Sequence, residues 1–470
     1  MSSVLTVSHP DSRTSERRYI LDQILHRWLG LDLLFVAAPR ADILIEGPDG
    51  SAGPRLRIAD GLLGIDDALW LGAATVPRGI PLRLAGSADF DPERLADDLA
   101  LPDFGRVTVP AIVTSADGSS IDIDADLLGA AFYFLTRYEE VAAPATDRFG
   151  RYPAAASWAG RNGLIERPLV DEIVALLRAC LLRLWPRLPL REPAFRVEVS
   201  HDVDLPLRHA WASPWRMLAG GARDVARGGG ARQFARRIAD WHAVRHRHEH
   251  ARDPYNTFER LAAESERAGR RAAFYFIAEH PAGATDCHYE IDDPFIAELI
   301  GRLHRAGHEI GLHPSYNSYL DAAQTRRELQ RLQAVCAAQG VQQQRWGGRQ
   351  HYLRWRAPDT YRNWEAAGLD YDSTLGFAQH AGFRCGSSRE FSPYDLTQRR
   401  VLRLTERPLV AMDSTLMDYM QLGASAATVD LGLRLKRQCQ RHGGVFTLLW
   451  HNSNLSTDAQ WRVFRALLNG

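Results

Sequence analysis

Residues 195–204 read Phe195-Arg196-Val197-Glu198-Val199-Ser200-His201-Asp202-Val203-Asp204. The first five residues carry a strand pattern, and a histidine and two carboxylates follow at once. In an extended segment, residues two apart project to the same side. Asp202 and Asp204 therefore share one pocket, with His201 on the opposite face. Two close carboxylates repel unless a cation or a proton lies between them. A divalent metal on one, with the other acting as a general base, resolves the conflict. A turn begun by aspartate and Pro206 is the alternative.

Downstream, short apolar runs recur between helical segments. They are Ala273–Ala278, Glu309–Leu312, Gly348–Leu353, Tyr371–Gly376, Leu409–Met412 and Val445–Trp450. Helical patterns fill 294–306 and 322–338. Alternating strands and helices predict an α/β fold with a parallel sheet or β/α barrel. Polar residues close several runs: His201 and Asp202, His313, Asp372, Asp413 and His451. Active sites of such barrels lie at the carboxy-terminal ends of the strands. Asn317 follows His313 by four residues, where a turn can aim both at one point, while His308 lies at the opposite end of its strand.

Residues 1–190 form a separate mixed α/β block. Strand-like runs are Leu33–Val36, Ile43–Ile45, Val107–Val109 and Ile121–Ile123, with helical patterns at 126–140 and 169–184. No chemical constellation stands out there, and Asp122, Asp124 and Asp126 read as a solvated strand face. Pro186, Pro189 and Pro193 mark the boundary. The second domain spans 195–470. Within it, 206–253 reads as an insertion with ten arginines and, before Asp253, three acidic residues, split by Gly228-Gly229-Gly230. It is either a solvated helical lid or a surface for phosphate groups, a polyanionic substrate or an anionic membrane face.

The 470 residues balance 57 basic against 57 acidic side chains, with 45% hydrophobic content. That composition is globular, and a zero net charge argues against nucleic acid as partner. Five scattered cysteines without a CxxC pair argue against a disulfide framework or thiolate zinc site. Trp28–Pro39 is too short to span a bilayer and is broken by Asp32. The expectation is a cytoplasmic chain without a transmembrane segment, open to peripheral contact through the arginine-rich insertion.

Taken in order, these motifs resemble the polysaccharide deacetylases of the NodB-homology type. Asp202-Val203-Asp204 resembles the family's Asp-x-Asp and Ala273-Phe274-Tyr275-Phe276 its second strand. Gly307-His308-Glu309-Ile310-Gly311-Leu312-His313 resembles its histidine motif. Arg356-Ala357-Pro358, Tyr371-Asp372-Ser373-Thr374 and Leu448-Leu449-Trp450-His451 resemble its Arg-x-Pro, Asp-Ser and Leu-x-x-His motifs. The resemblance covers residues 195–455. More narrowly, the chain resembles members from bacterial surface-polysaccharide gene clusters, which carry an extra amino-terminal domain.

The resemblance implies a distorted (β/α) barrel of about seven parallel strands. It implies a metal-dependent hydrolase that removes N-acetyl groups from an amino sugar or glycan. Asp202 would be the general base, and Asp204, His313 and Asn317 would hold a divalent metal: zinc, or cobalt or nickel. The chain departs from the family's His-x-x-x-His, with Asn317 at the second histidine. His451 would donate a proton to the leaving amine, a task suited to a near-neutral pKa. Asp372 would orient His451, and Arg356 would orient Asp202. Arg349 and His351, in a glycine-containing stretch, and Asn452 are candidates for substrate binding, with structural turns as the alternative. A sugar-binding pseudoenzyme and an O-acetyl esterase are the competing functions.

Overall fold

The structure is a computed structural model. It describes all residues except 1–3, 48–52, 86–89, 91–93, 95–97, 106–110 and 227–229. The strand expected at Val107–Val109 and the glycine break at Gly228-Gly229 lie outside the described residues.

The strand-like runs of the second half become one curled parallel sheet of eight strands. They are β1 (Arg196–Val203), β2 (Ala272–Phe276), β3 (Glu309–Leu312), β4 (Gly347–Gly348), β5 (Tyr371–Asp372), β6 (Thr405–Glu406), β7 (Ala411–Met412) and β8 (Val445–Leu449). Their spatial order is β6-β5-β4-β3-β2-β1-β8-β7. This is the expected distorted barrel, with one strand more than the sequence runs gave. β6 went unread because two residues carry no periodicity. Strands β2 and β8 are buried throughout, as expected of a parallel sheet covered on both faces.

Register fixes where the site forms. Tyr275 of β2 lies opposite Asp202 of β1 and Gly311 of β3. Leu312 of β3 pairs with Gly348 of β4. Two glycines make this approach possible: a Cβ on Gly348 would collide with the Leu312 carbonyl, and one on Gly311 would lie 2.5 Å from the Tyr275 ring. The intervening helices start on designed caps. Asp293 accepts from Phe295 N ahead of Pro294–Arg305, and Asp321 from Gln324 N ahead of Ala322–Ala338. Each satisfies an amide that the first helical turn leaves without a partner.

By contacts the chain groups into two compact units. One comprises 1–196, 353–411 and 434–447; the other comprises 197–352, 412–433 and 448–470. The first unit contains a six-stranded sheet, in the order Leu33–Ala38, Leu5–Pro10, Asp42–Glu46, Arg55–Ala59, Ser120–Ile123, Ile112–Thr114. Buried charges knit its segments: Glu140 accepts from Arg137 at 2.8 Å and from Arg384 at 2.7 Å. The helix Leu169–Leu184 forms as its apolar spacing predicts, whereas the pattern at 126–140 breaks in two at Arg137 (φ 53°). The solvated-face reading of the three aspartates needs correction. Asp122 does pair with Arg57 at a half-exposed position, but Asp126 is buried and caps a helix, accepting from Gly129 N and Leu62 N at 2.7 Å each. No described helix is long and apolar enough to cross a membrane.

Candidate metal centre and its acid and base

The second unit holds every residue of the cluster that forms at the strand ends. Alternation along β1 sends His201 and Asp202 in opposite directions. His201 donates from Nδ1 to the Trp450 carbonyl at 2.7 Å and packs on Phe274, its ring centroid 4.7 Å away. Burial lowers its pKa to about 4, so it is a neutral structural residue. On the other face, Ser200 and Asp202 meet Arg349, whose Nη1 donates to Ser200 Oγ and Asp202 Oδ1 at 2.9 Å each. Tyr289 closes the frame. Its hydroxyl donates to the Val203 carbonyl at 2.9 Å and accepts from Ile277 N at 2.8 Å.

Asp204, His313 and His351 converge, with one ligand atom from each within 4.8 Å of the others. His313 Nδ1 lies 2.6 Å from the Arg349 carbonyl, and His351 Nε2 lies 2.9 Å from the Thr285 carbonyl. A carbonyl only accepts, so both nitrogens carry protons. The remaining nitrogens, His313 Nε2 and His351 Nδ1, face each other at 2.8 Å. Asp204 Oδ1 lies 3.1 Å from the first and 3.6 Å from the second. That oxygen is buried and makes no aligned hydrogen bond.

Two imidazole lone pairs and a carboxylate oxygen therefore point at one another, an arrangement that a proton or a cation must relieve. Carbonyl partners on the outer nitrogens are the usual support for metal-binding histidines. Two nitrogens and one oxygen suit zinc and its neighbours, which take water or substrate as a further ligand in sites with three protein ligands. The residues fit a divalent metal. Burial opposes ionisation of Asp204, yet His351, His313 and His451 hold its carboxyl well below the usual range. His313 is lowered by burial and, on balance, raised by Asp202 and Asp204, while His351 is lowered by burial and by His313.

His451 stands on the other side of Asp204, with Nε2 3.6 Å from Asp204 Oδ2. Its Nδ1 lies 2.7 Å from Asp413 Oδ1, and its backbone N donates to Asp413 Oδ2 at 2.8 Å. Asn454 Nδ2 also donates to that carboxylate, at 3.0 Å. Burial works against the imidazolium, but Asp413 and the nearby Asp204 raise His451 to about 10. That is well above the near-neutral value expected, and it makes the ring a cation.

Of the residues singled out from the sequence, Asp202, Asp204, His313, Arg349, His351 and His451 come together. Asn317 is exposed at the start of a short turn, Ser318–Leu320, and His351 supplies the second imidazole. Arg356 is exposed and pairs with Asp359 at 2.8 Å, while Arg349 pairs with Asp202. Asp372 is buried and accepts from Thr374 N at 2.9 Å, while Asp413 holds His451. Asn452 is buried, donating to the Leu205 and Tyr255 carbonyls at 2.9 and 2.8 Å. In the sequence Asp413 reads only as a polar residue closing its strand run, with no role assigned, and Tyr289 is not read at all. Asp413 had a signal, a carboxylate directly after a strand run, whereas Tyr289 lies in a loop with no pattern.

Comparison with known proteins adds the following. Residues 83–186 match a family of unknown function (DUF7033). No curated protein matches the sequence. Solved structures similar to the chain include the following three. A protein from Mycobacterium smegmatis assigned as a polysaccharide deacetylase is 18% identical, with a TM-score of 0.36, over 59% of this chain and 83% of its own. A mutant of a CE4 family pseudoenzyme with restored enzymatic activity is 10% identical, with a TM-score of 0.29, over 59% and 65%. Agd3, a carbohydrate deacetylase, is 10% identical, with a TM-score of 0.34, over 100% and 84%. At these values the functional reading rests on the motifs and the geometry of the cluster.

Proposed function

We propose that the chain is a metal-dependent hydrolase that removes N-acetyl groups from an amino sugar within a glycan. The observation that carries this reading is the convergence of Asp204 Oδ1, His313 Nε2 and His351 Nδ1, flanked by Asp202 on one side and His451 on the other. Asp204, His313 and His351 would hold the metal, zinc being the ion the donor set suits best. When bound, it supplies a Lewis acid that polarises the acetamide carbonyl and acidifies water.

The chain's own residues divide the proton work. Asp202, fixed by Arg349, takes a proton from the attacking water as the new carbon–oxygen bond forms. His451, held as a cation by Asp413, gives its proton to the sugar nitrogen as the carbon–nitrogen bond breaks. The products are acetate and the free amine. Arg349 and Asp413 are positioning residues. They fix the orientation of the base and the acid, which is how preorganised sites limit the cost of reaching the transition state.

The pseudoenzyme reading drew on Asn317 in place of a histidine. His351 would fill that place from after another strand, which supports the reading of an active enzyme. Acetate release from N-acetylated and O-acetylated glycans by zinc-loaded protein tests the proposal and separates amidase from esterase. Asp202→Asn is expected to retain zinc and lose turnover by at least about 100-fold. Full acetate release by that variant, or none by the zinc-loaded wild type on any acetylated glycan, refutes the proposal.

A further inference from the structure

A cavity of about 470 Å³ opens directly after Asp204 in the chain, lined in part by Leu205, Arg208, Trp211, Arg237, Tyr255 and His288. The lining includes two arginines and two histidines. Its walls come from the loop after β1, from the arginine-rich insertion, which has no part in the chemistry above, and from Tyr255 and His288. The insertion forms two helices, Pro214–Ala226 and Ala231–Arg247.

The walls are built, not loosely draped. Asp253 accepts from Arg208 N and His209 N at 2.8 Å each. Trp241 Nε1 donates to the Ala212 carbonyl at 3.1 Å, and Arg245 Nη1 to the Ala210 carbonyl at 2.8 Å. The Arg208 guanidinium lies 5.8 Å from the centre of the Tyr255 ring. The Arg237 guanidinium lies against Gly220. Asn452, the neighbour of His451, donates to the carbonyls of both Leu205 and Tyr255. Two walls of the cavity are thereby tied to the residue next to the acid.

Flat aromatic faces take the apolar face of a sugar ring, and guanidinium groups take carboxylates or phosphates in pairs of hydrogen bonds. A cavity that joins both beside a hydrolytic centre calls for a sugar with an oxyanion. We propose that this cavity is a subsite selecting glycans that bear an oxyanion, a carboxylate or a phosphate, next to the sugar whose acetamide is hydrolysed. The proposal rests on the hydrolase reading for its neighbour, while its binding chemistry stands apart from turnover.

Titration calorimetry on Asp202→Asn protein loaded with zinc measures binding without hydrolysis. The probes are chitotetraose, a tetrasaccharide alternating N-acetylglucosamine with glucuronic acid, and N-acetylglucosamine 1-phosphate. The expected result is at least about tenfold tighter binding of an anionic probe than of the neutral one, weakening as salt rises. Which anionic probe binds tells carboxylate from phosphate. Arg208→Gln with Arg237→Gln should erase the preference, and Trp211→Ala should weaken all sugar probes while keeping it. Equal affinity for neutral and anionic probes, no binding of either anion, or a preference untouched by the double variant overturns the proposal. If the double variant fails to fold, the wild-type preference and its salt dependence still decide. An anionic preference without acetate release from wild type would sink the hydrolase reading alone; acetate release without the preference would sink the subsite alone.

Discussion

Replacing His351 with alanine is the sharpest test of the cluster. It removes one of the three convergent donors, leaving Asp204 and His313. Structural zinc sites with four protein ligands bind with about 10–16 kcal/mol, so each ligand contributes about 3 kcal/mol. Losing one of three donors should weaken zinc by about 100-fold. The assay is thermal unfolding with and without zinc, backed by competition against a fluorescent chelator. Zinc at 100 times its wild-type Kd stabilises the folded state by about 2.7 kcal/mol. A variant with a Kd 100-fold higher gains only about 0.4 kcal/mol from the same zinc. For a unit of this size, that separates a shift in Tm of about 5–10 °C from one of about 1 °C. Asn317→Ala, at an exposed position, should bind zinc as wild type does. If Asn317→Ala lost zinc and His351→Ala kept it, the assignment of the second imidazole would be wrong.

Three further outcomes are expected. Arg349→Ala leaves Asp202 buried without its cation and should cost about 3–5 kcal/mol in urea unfolding, together with acetate release. Asp413→Asn removes the carboxylate charge that holds His451 as a cation and should lower acetate release by about 100-fold with zinc affinity unchanged. The buried His442 is held down to about 4, chiefly by desolvation. Its ordinary value is about 6.5, so the unfolded chain takes up the proton first as pH falls. Its share of stability is complete above about pH 6.5 and is lost towards pH 4, by about 3 kcal/mol. Urea unfolding at pH 7, 5 and 4 should show that slope flattened in His442→Asn; an unchanged slope would refute it.

What the sequence disclosed follows from how local each signal is. The strands β2 and β8 are largely apolar runs, β1 and β3 are short strand patterns, and the polar residues of the site lie inside the strand or within two residues of its end. Asp202, Asp204, His313 and His451 were visible for that reason. Arg349 and His351 drew notice through Gly347 and Gly348, but a glycine only announces close approach, not what is approached. The roles given to Arg356 and Asp372 came from motif order alone. In this chain a nearer arginine, Arg349, and a later aspartate, Asp413, make the contacts. Which carboxylate meets which imidazole is a tertiary fact, and no local pattern encodes it.

The second imidazole shows why. Asp204 follows β1 and His351 follows β4, and β2 and β3 lie between them in the sheet. Neighbouring strands are about 4.8 Å apart, so in a flat sheet these ends would be separated by about 14 Å. Yet Asp204 Oδ1 and His351 Nδ1 are 3.6 Å apart. The curl of the sheet and the reach of the turn after β4 close that gap. The turn itself bends through positive φ at Tyr352 and Leu353, and Gly348 lets its strand press against Leu312. A histidine four residues after His313 would need only a local turn to reach the same point. A histidine 38 residues away needs the barrel. The donor set is thus a property of the curvature, and a chain can lose the local histidine and keep the centre if the fourth strand ends on another.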